Sequence, residues 1–130
     1  MIGDTVERTV AIVGDDAGTR DSAATLLGAH GFQVREFEPA AAVQADPRVF
    51  AQACCLVLDL GEPGPGLIAQ LERLAISGLP PTILIVDQVT APLAARVRAF
   101  GVRMVLDRPV PPLELVAHVR ALVGMIPASP

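Results

Sequence analysis

Short apolar, β-rich runs alternate with helix-patterned stretches five times along this chain, and any fold must satisfy that alternation. Thr9-Val10-Ala11-Ile12-Val13 is ended by Gly14-Asp15-Asp16. Ala17 to His30 then carries Ala23, Leu26 and Leu27 at helical spacing and closes at Gly31. Phe32 to Phe37 alternates apolar and polar residues, and Pro39 opens an alanine-rich stretch that Pro47 is expected to end. Cys55-Leu56-Val57-Leu58 is apolar without a break. After Pro65-Gly66, an amphipathic helix places Leu67, Ile68, Leu71, Leu74 and Ala75 on one stripe, with Gly78 beyond it. Thr82-Ile83-Leu84-Ile85-Val86 is a further apolar run, and Ala91 to Phe100 is a short helix stopped by Gly101. Arg103 to Leu106 makes the last strand, and Pro111-Pro112 starts a final helix running to about Met125.

The first, third and fourth runs are apolar on both faces, as central parallel strands are. The second and fifth are mixed, as edge strands are. The sequence therefore predicts an α/β fold: a flavodoxin-like, doubly wound (βα)5 three-layer sandwich on a parallel five-stranded sheet of order 2-1-3-4-5. At 130 residues the chain reads as a single domain over 1–130, with its core at about 8–125 and a tail at 127–130.

Composition removes several classes of function. Hydrophobic residues make up 52% and charged residues 18%, which excludes a disordered chain. No apolar run reaches the roughly 18 residues of a membrane span. Asp4 and Glu7 precede any apolar run, unlike a secretory signal peptide. The net charge is −4 with no basic block, so there is no footprint for direct nucleic-acid binding. These features point to the cytoplasm. All ten basic residues are arginine, and Lys, Asn, Tyr and Trp are absent, the composition of a GC-rich bacterial genome. Cys54 and Cys55 are adjacent, too close to bridge without strain, and read as buried free thiols.

In an open α/β sheet, ligands bind beyond the carboxyl ends of the strands. There stand Asp15 and Asp16 after the first strand, Asp59 after the third, and Asp107-Arg108-Pro109 after the fifth. Converging carboxylates repel unless a hard cation such as Mg²⁺ joins them. An aspartate facing that cation can attack phosphorus, and Arg108 can clamp a phosphoryl group. Asp87, next to Val86, offers Arg108 a different partner that would close the crevice on itself. Asp15 and Asp16 can alternatively cap the first helix.

Over about residues 8–125 the chain resembles the receiver domain of bacterial two-component response regulators. The matching segments are Thr9-Val-Ala-Ile-Val-Gly-Asp15-Asp16 with Arg20 beyond, Leu56-Val-Leu-Asp59-Leu-Gly-Glu-Pro63, Thr82-Ile-Leu-Ile-Val86, and Phe100-Gly101 leading to Asp107-Arg108-Pro109. The resemblance implies that Asp59 is the phosphoacceptor. It implies a Mg²⁺ site formed by Asp15, Asp59 and the Gly61 carbonyl, with Asp16 standing by as a further ligand. It also implies a histidine kinase or phosphotransferase as donor of the phosphoryl group.

This sequence departs from the family's pattern at one circuit. The acidic pair at the end of the first strand falls on Gly14 and Asp15, so one carboxylate is missing. The hydroxyl residue after the fourth strand is Val86, the Lys before Pro is Arg108, and the switch aromatic is Val105. The loop after Asp59 is one residue short, with Pro65-Gly66 in place of a longer turn. The expectation is a degenerate receiver with an incomplete switch and a weakened Mg²⁺ site, or a pseudo-receiver that acts only as a phosphorylation-independent interaction or dimerisation module. It is not expected to be an enzyme.

A flavin site would need a phosphate-cradling loop where Gly14-Asp15-Asp16-Ala17-Gly18 is acidic, and a cobalamin site or a hydrolase would need a His in the crevice. His30 and His118 both lie on helices. The last helix carries Leu113, Leu115, Val116, Val119, Leu122, Val123 and Ile126 around more than one face. With Leu93, Val97 and Phe100 it suggests a homodimer or docking face built from the fourth and fifth helices.

Overall fold

A computed structural model describes residues 8–61 and 65–124. The acidic N-terminal segment, Pro63 with the shortened loop around it, Ile126 and the 127–130 tail lie outside the described residues. Five parallel strands form one sheet in the order β2-β1-β3-β4-β5: β1 (Thr9–Gly14), β2 (Gln33–Phe37), β3 (Cys55–Gly61), β4 (Thr82–Val86) and β5 (Val102–Asp107). The three central strands are the three apolar runs, and their residues from Val10 to Val13, Cys55 to Leu58 and Thr82 to Val86 are all buried.

Side chains alternate across a strand, so each central strand feeds two cores. Ala11, Val13, Leu56, Leu58, Leu84 and Val86 face one core. It is covered by α2 (Pro39–Gln44), α3 (Pro47–Ala51), α4 (Pro65–Ala75) and α5 (Ala91–Arg98). Val10, Ile12, Cys55, Val57, Ile83 and Ile85 face the other, covered by α1 (Ala17–Ala29) and α6 (Pro112–Gly124). Helix α4 shows the packing logic: Leu67, Leu71 and Leu74 recur at helical spacing, and all three are buried.

The second crossover departs from the sequence reading. The alanine-rich helix does stop before Pro47, at Gln44, but Pro47 itself begins another helix. Asp46 stands as N-cap, accepting the Arg48 N–H at 3.0 Å, and Pro47 takes the first turn, where its missing N–H costs nothing. Phe50 is thereby delivered into the core against Phe37, with ring centroids 4.9 Å apart. The Arg73 guanidinium, from α4, donates to the carbonyls of Ala42 and Ala45 at the end of α2 and holds the two short helices in place. Cys54 sits in a bend just before β3 and not in the strand, and packs toward the same core as Cys55. Burial pushes the Cys55 thiol up to about 12, with the neighbouring Cys54 adding to the push; burial also raises Cys54.

The two helices expected to form a dimer face are α5 and α6. Much of their apolar surface turns inward. Leu115, Val116, Val119 and Leu122 are buried beneath α6, Val97 is buried beneath α5, and Leu93, Phe100 and Val123 pack against the cores. The physical reason is the sheet itself, which has two apolar faces to cover. Of the stripe, Leu113 stays in solvent at 65% exposure.

Leu58→Ala, at a fully buried strand position, is expected to cost about 2–5 kcal/mol in chemical denaturation, while Ile76→Ala stays within about 0.5 kcal/mol. Arg48 holds the Asp46 carboxyl down at about 2 through side-chain and backbone hydrogen bonds. A depressed carboxylate stabilises the fold above its ordinary value and loses that effect as the pH falls. The Asp46 cap is therefore expected to be complete above pH 3.8 and to disappear toward pH 2, which carboxylate NMR titration would track directly.

Candidate functional site

Strand parity fixes where Asp59 points. It lies two residues beyond Val57 on β3, and so on the α1 and α6 side of the sheet, at the carboxyl edge. It pairs with Gly14 on β1 and Ile85 on β4. A register shift comes next, before Gly61 meets Val86. Beside Asp59 opens a pocket of about 590 Å³. Its walls come from the first turns of α1 (Asp16, Gly18, Thr19, Ser22) and from the segment between β5 and α6, Arg108 to Pro112.

Arg108 reaches into the centre of this edge. Its Nε donates to Asp59 Oδ1 at 2.6 Å, and its Nη2 donates to Asp15 Oδ1 at 3.0 Å and to the Asp59 carbonyl at 3.2 Å. Its Nη1 lies 3.6 Å from Asp87 Oδ1. One guanidinium thus faces three carboxylates from the ends of three strands. The loops that present these groups are tied down by the backbone: Arg108 N–H donates to the Val86 carbonyl at 2.7 Å, and Asp87 N–H donates to the Gly61 carbonyl at 2.8 Å. Gly61 has φ +73°, and a Cβ there would stand 2.7 Å from Arg108 Nη1. Only glycine suits both the backbone and the guanidinium lying against it.

Burial pushes the Asp59 carboxyl above the usual carboxylate range; Arg108 pulls the other way, and Asp15 and Asp87 add to the push. For Arg108, burial works against the charge but is outweighed by Asp59 and Asp15, which hold the guanidinium protonated.

Asp15, Asp59 and Arg108 are brought together. Asp107 is not: its Oδ1 accepts the Val89 N–H at 2.6 Å and caps the loop between β4 and α5. Asp87 stands at the site in its stead, as the closed-crevice alternative has it. Asp16 lines the pocket, but its Oδ2 accepts from both the N–H and the hydroxyl of Thr19 as the N-cap of α1. Those bonds lower its pKa. His30 sits at the end of α1 with Nδ1 2.9 Å from the Leu26 carbonyl. Val86 is fully buried and Val105 partly so.

Sequence reasoning missed the part that Arg20 plays here. It donates from Nη1 to the Gly14 carbonyl, and its Cγ lies 3.3 Å from where a Gly14 Cβ would be. Arginine carbon therefore takes up the space that a side chain on Gly14 would need. The spacing of Arg20 from the first strand was the available signal. Among the described residues, no group of three or more His, Cys, Asp or Glu is arranged to hold a metal ion.

No family model matches the chain. Among curated proteins it is similar to the transcriptional regulatory protein FixJ of Azorhizobium caulinodans, 29% identical over 116 residues. That match takes in 88% of this chain and 54% of FixJ, so the chain spans about half the length of the relative. Among solved structures it is similar to the HemR receiver domain of Leptospira biflexa at 17% identity, covering 93% and 98% of the two chains with a TM-score of 0.77. It is also similar to a pilus assembly-related protein of Burkholderia pseudomallei (19%, 95% and 95%, TM-score 0.74) and a CheY-like response regulator of Mesorhizobium loti (22%, 88% and 98%, TM-score 0.69). The chain has the CheY-like, flavodoxin-like fold of response regulator receiver domains. Such domains are generally signalling modules of two-component systems that bind Mg²⁺ at the phosphorylation site and interact with histidine kinases or phosphotransferases.

Arg108→Ala would leave Asp15, Asp59 and Asp87 facing one another without a cation. Because the arginine is partly exposed, the expected loss of stability is about 1–3 kcal/mol, below the cost of breaking a fully buried pair. The loss should shrink in high salt, where screening takes over part of the cation's role. Urea denaturation at two ionic strengths measures both effects.

Proposed function

We propose that this chain, over about residues 8–125, is a receiver-type signalling module of the two-component kind that acts by protein–protein contact, its Asp59 latched by its own arginine. The latch carries the reading: Arg108 Nε stands 2.6 Å from the carboxylate oxygen Oδ1 of the acceptor position. Val86 and Val105 support it. Val105 takes the place of the switch aromatic, and Val86 has no hydroxyl to offer a phosphoryl oxygen, a bond to a charged group worth about 1.5–3 kcal/mol. That is the size of the whole coupling in a typical two-state switch, about 1–3 kcal/mol. A receiver without those contacts has little with which to favour one surface over another.

As arranged, the donor set does not fit a resident divalent ion. Asp15 and Asp59 are already bridged by Arg108, the Gly61 carbonyl accepts from Asp87, and Asp16 caps α1. The reading assigns no catalytic turnover to the chain and places it in the cytoplasm, in keeping with the receiver fold. Among the described residues, no helix is long and apolar enough to cross a membrane. A homodimer through α5 and α6 would be built on Leu113 and the partly exposed edges of Leu93 and Phe100.

One observation favours the second reading, a working phosphoacceptor. The pocket beside Asp59 is open and lined by Thr19, Ser22 and Arg108, so a donor phosphoryl group has a way in. There Arg108 would swing from carboxylate to phosphate, which its planar fork suits.

Intact-mass analysis after incubation with Mg²⁺ and acetyl phosphate decides between them, with Asp59→Ala and a known receiver as controls. The expected outcome is no added mass on this chain while the control receiver gains one phosphoryl group. A phosphoryl gain that vanishes in Asp59→Ala would establish the phosphoacceptor reading.

A further inference from the structure

Receiver folds hold a divalent ion among their strand-end carboxylates, and this chain's residues are arranged around something else. Three different nitrogens of one guanidinium face three different carboxylates: Nε and Asp59 at 2.6 Å, Nη2 and Asp15 at 3.0 Å, Nη1 and Asp87 at 3.6 Å. Nη2 takes the Asp59 carbonyl as well. The surroundings are cut to that shape. Gly61 has no Cβ where Nη1 lies, and Gly14 brings no side chain of its own beside Asp59, the Arg20 stem lying 3.3 Å from where its Cβ would be.

We propose that Arg108 is the built-in cation of this site, taking the electrostatic place of Mg²⁺, so that the chain neither needs nor binds a divalent ion there. The proposal goes beyond the signalling reading and does not depend on it. Mg²⁺ demands nearly octahedral oxygen ligands at about 2.0–2.1 Å. Asp15 and Asp59 cannot both close to that distance on a single ion while a guanidinium lies between them. Nor can the arginine yield by losing its charge: Asp59 and Asp15 hold the guanidinium protonated, and it meets an arriving dication as a positive group. A lysine there would be a compact point charge with no planar fork to bridge several carboxylates at once. The exchange of Lys for Arg therefore changes how fully the carboxylates are already engaged when an ion arrives.

Thermal unfolding by circular dichroism, with MgCl2 compared against NaCl of equal ionic strength, tests this on the whole chain. The wild type is expected to show no Mg²⁺-specific shift in Tm. Arg108→Ala and Arg108→Lys are expected to gain one, about 3–6 °C once Mg²⁺ reaches ten times its Kd. Mn²⁺ gives a second readout in NMR: amide signals of Asp15, Asp59 and Gly61 should broaden selectively in the variants and stay sharp in the wild type. Arg108→Lys keeps a positive charge among the carboxylates, so it remains informative should the alanine variant fail to fold. Selective Mn²⁺ broadening in the wild type would overturn the proposal by itself. So would a folded pair of variants that, like the wild type, ignore Mg²⁺, since Arg108 would then not be what keeps the ion out. Repeating the acetyl phosphate experiment with EDTA separates this from the signalling reading: a phosphoryl gain at Asp59 that persists in EDTA overturns the latter alone, and a gain that EDTA abolishes overturns both.

Discussion

The central strands of this sheet are buried on both faces, and that constraint sets the terms for everything else. A strand covered on one side can carry polar residues on the other. β1, β3 and β4 have no such side along their buried runs, from Val10 to Val13, Cys55 to Leu58 and Thr82 to Val86. Charge is therefore pushed to the strand ends, where the parallel arrangement collects Asp15, Asp59 and Asp87 at one edge. The same constraint draws α5 and α6 inward. Much of the apolar surface of these two helices covers the two-sided core, and Leu113 remains in solvent.

Carboxylates gathered in this way need a counter-charge, and the chain supplies its own. A guanidinium differs from a metal ion in how it answers that need. It has direction, five donors in a plane, and a tether. It organises its neighbours by hydrogen-bond geometry, which is why a glycine with positive φ lies against it and why backbone groups from β3, β4 and the β5–α6 segment are tied together beside it. The fold stays that of a receiver while the physics of its polar edge becomes that of a closed ion cluster.

Much of this was legible in the residues. Period and composition marked out the five strands and the edge character of β2 and β5, because hydrophobic alternation records burial directly, and the order followed from the doubly wound fold that five such units suit. Asp15, Asp59 and Arg108 were visible as strand-end residues, and strand ends are where an open sheet gathers its chemistry. Three things were less legible. Asp107 and Asp87 stand at equivalent strand ends, and nothing in their types says which one turns to the loop and caps Val89. Pro47 reads as a stop until Asp46 is seen to cap a new helix that Pro47 opens. Arg20 finds its role only because Gly14 leaves room for its stem, a fact of packing between residues on different elements.

The Asp107 cap has a mechanical side. It joins the end of β5 to the β4–α5 loop, at the residue just before Arg108. The Arg108 N–H holds the end of β4 from the opposite direction, and Asp87 N–H holds the end of β3. Three strand ends are thus stitched into one rim, and the β4–α5 loop is tied to it at Val89. The exposed loop and the backbone of Arg108 are joined through adjacent residues of one strand end.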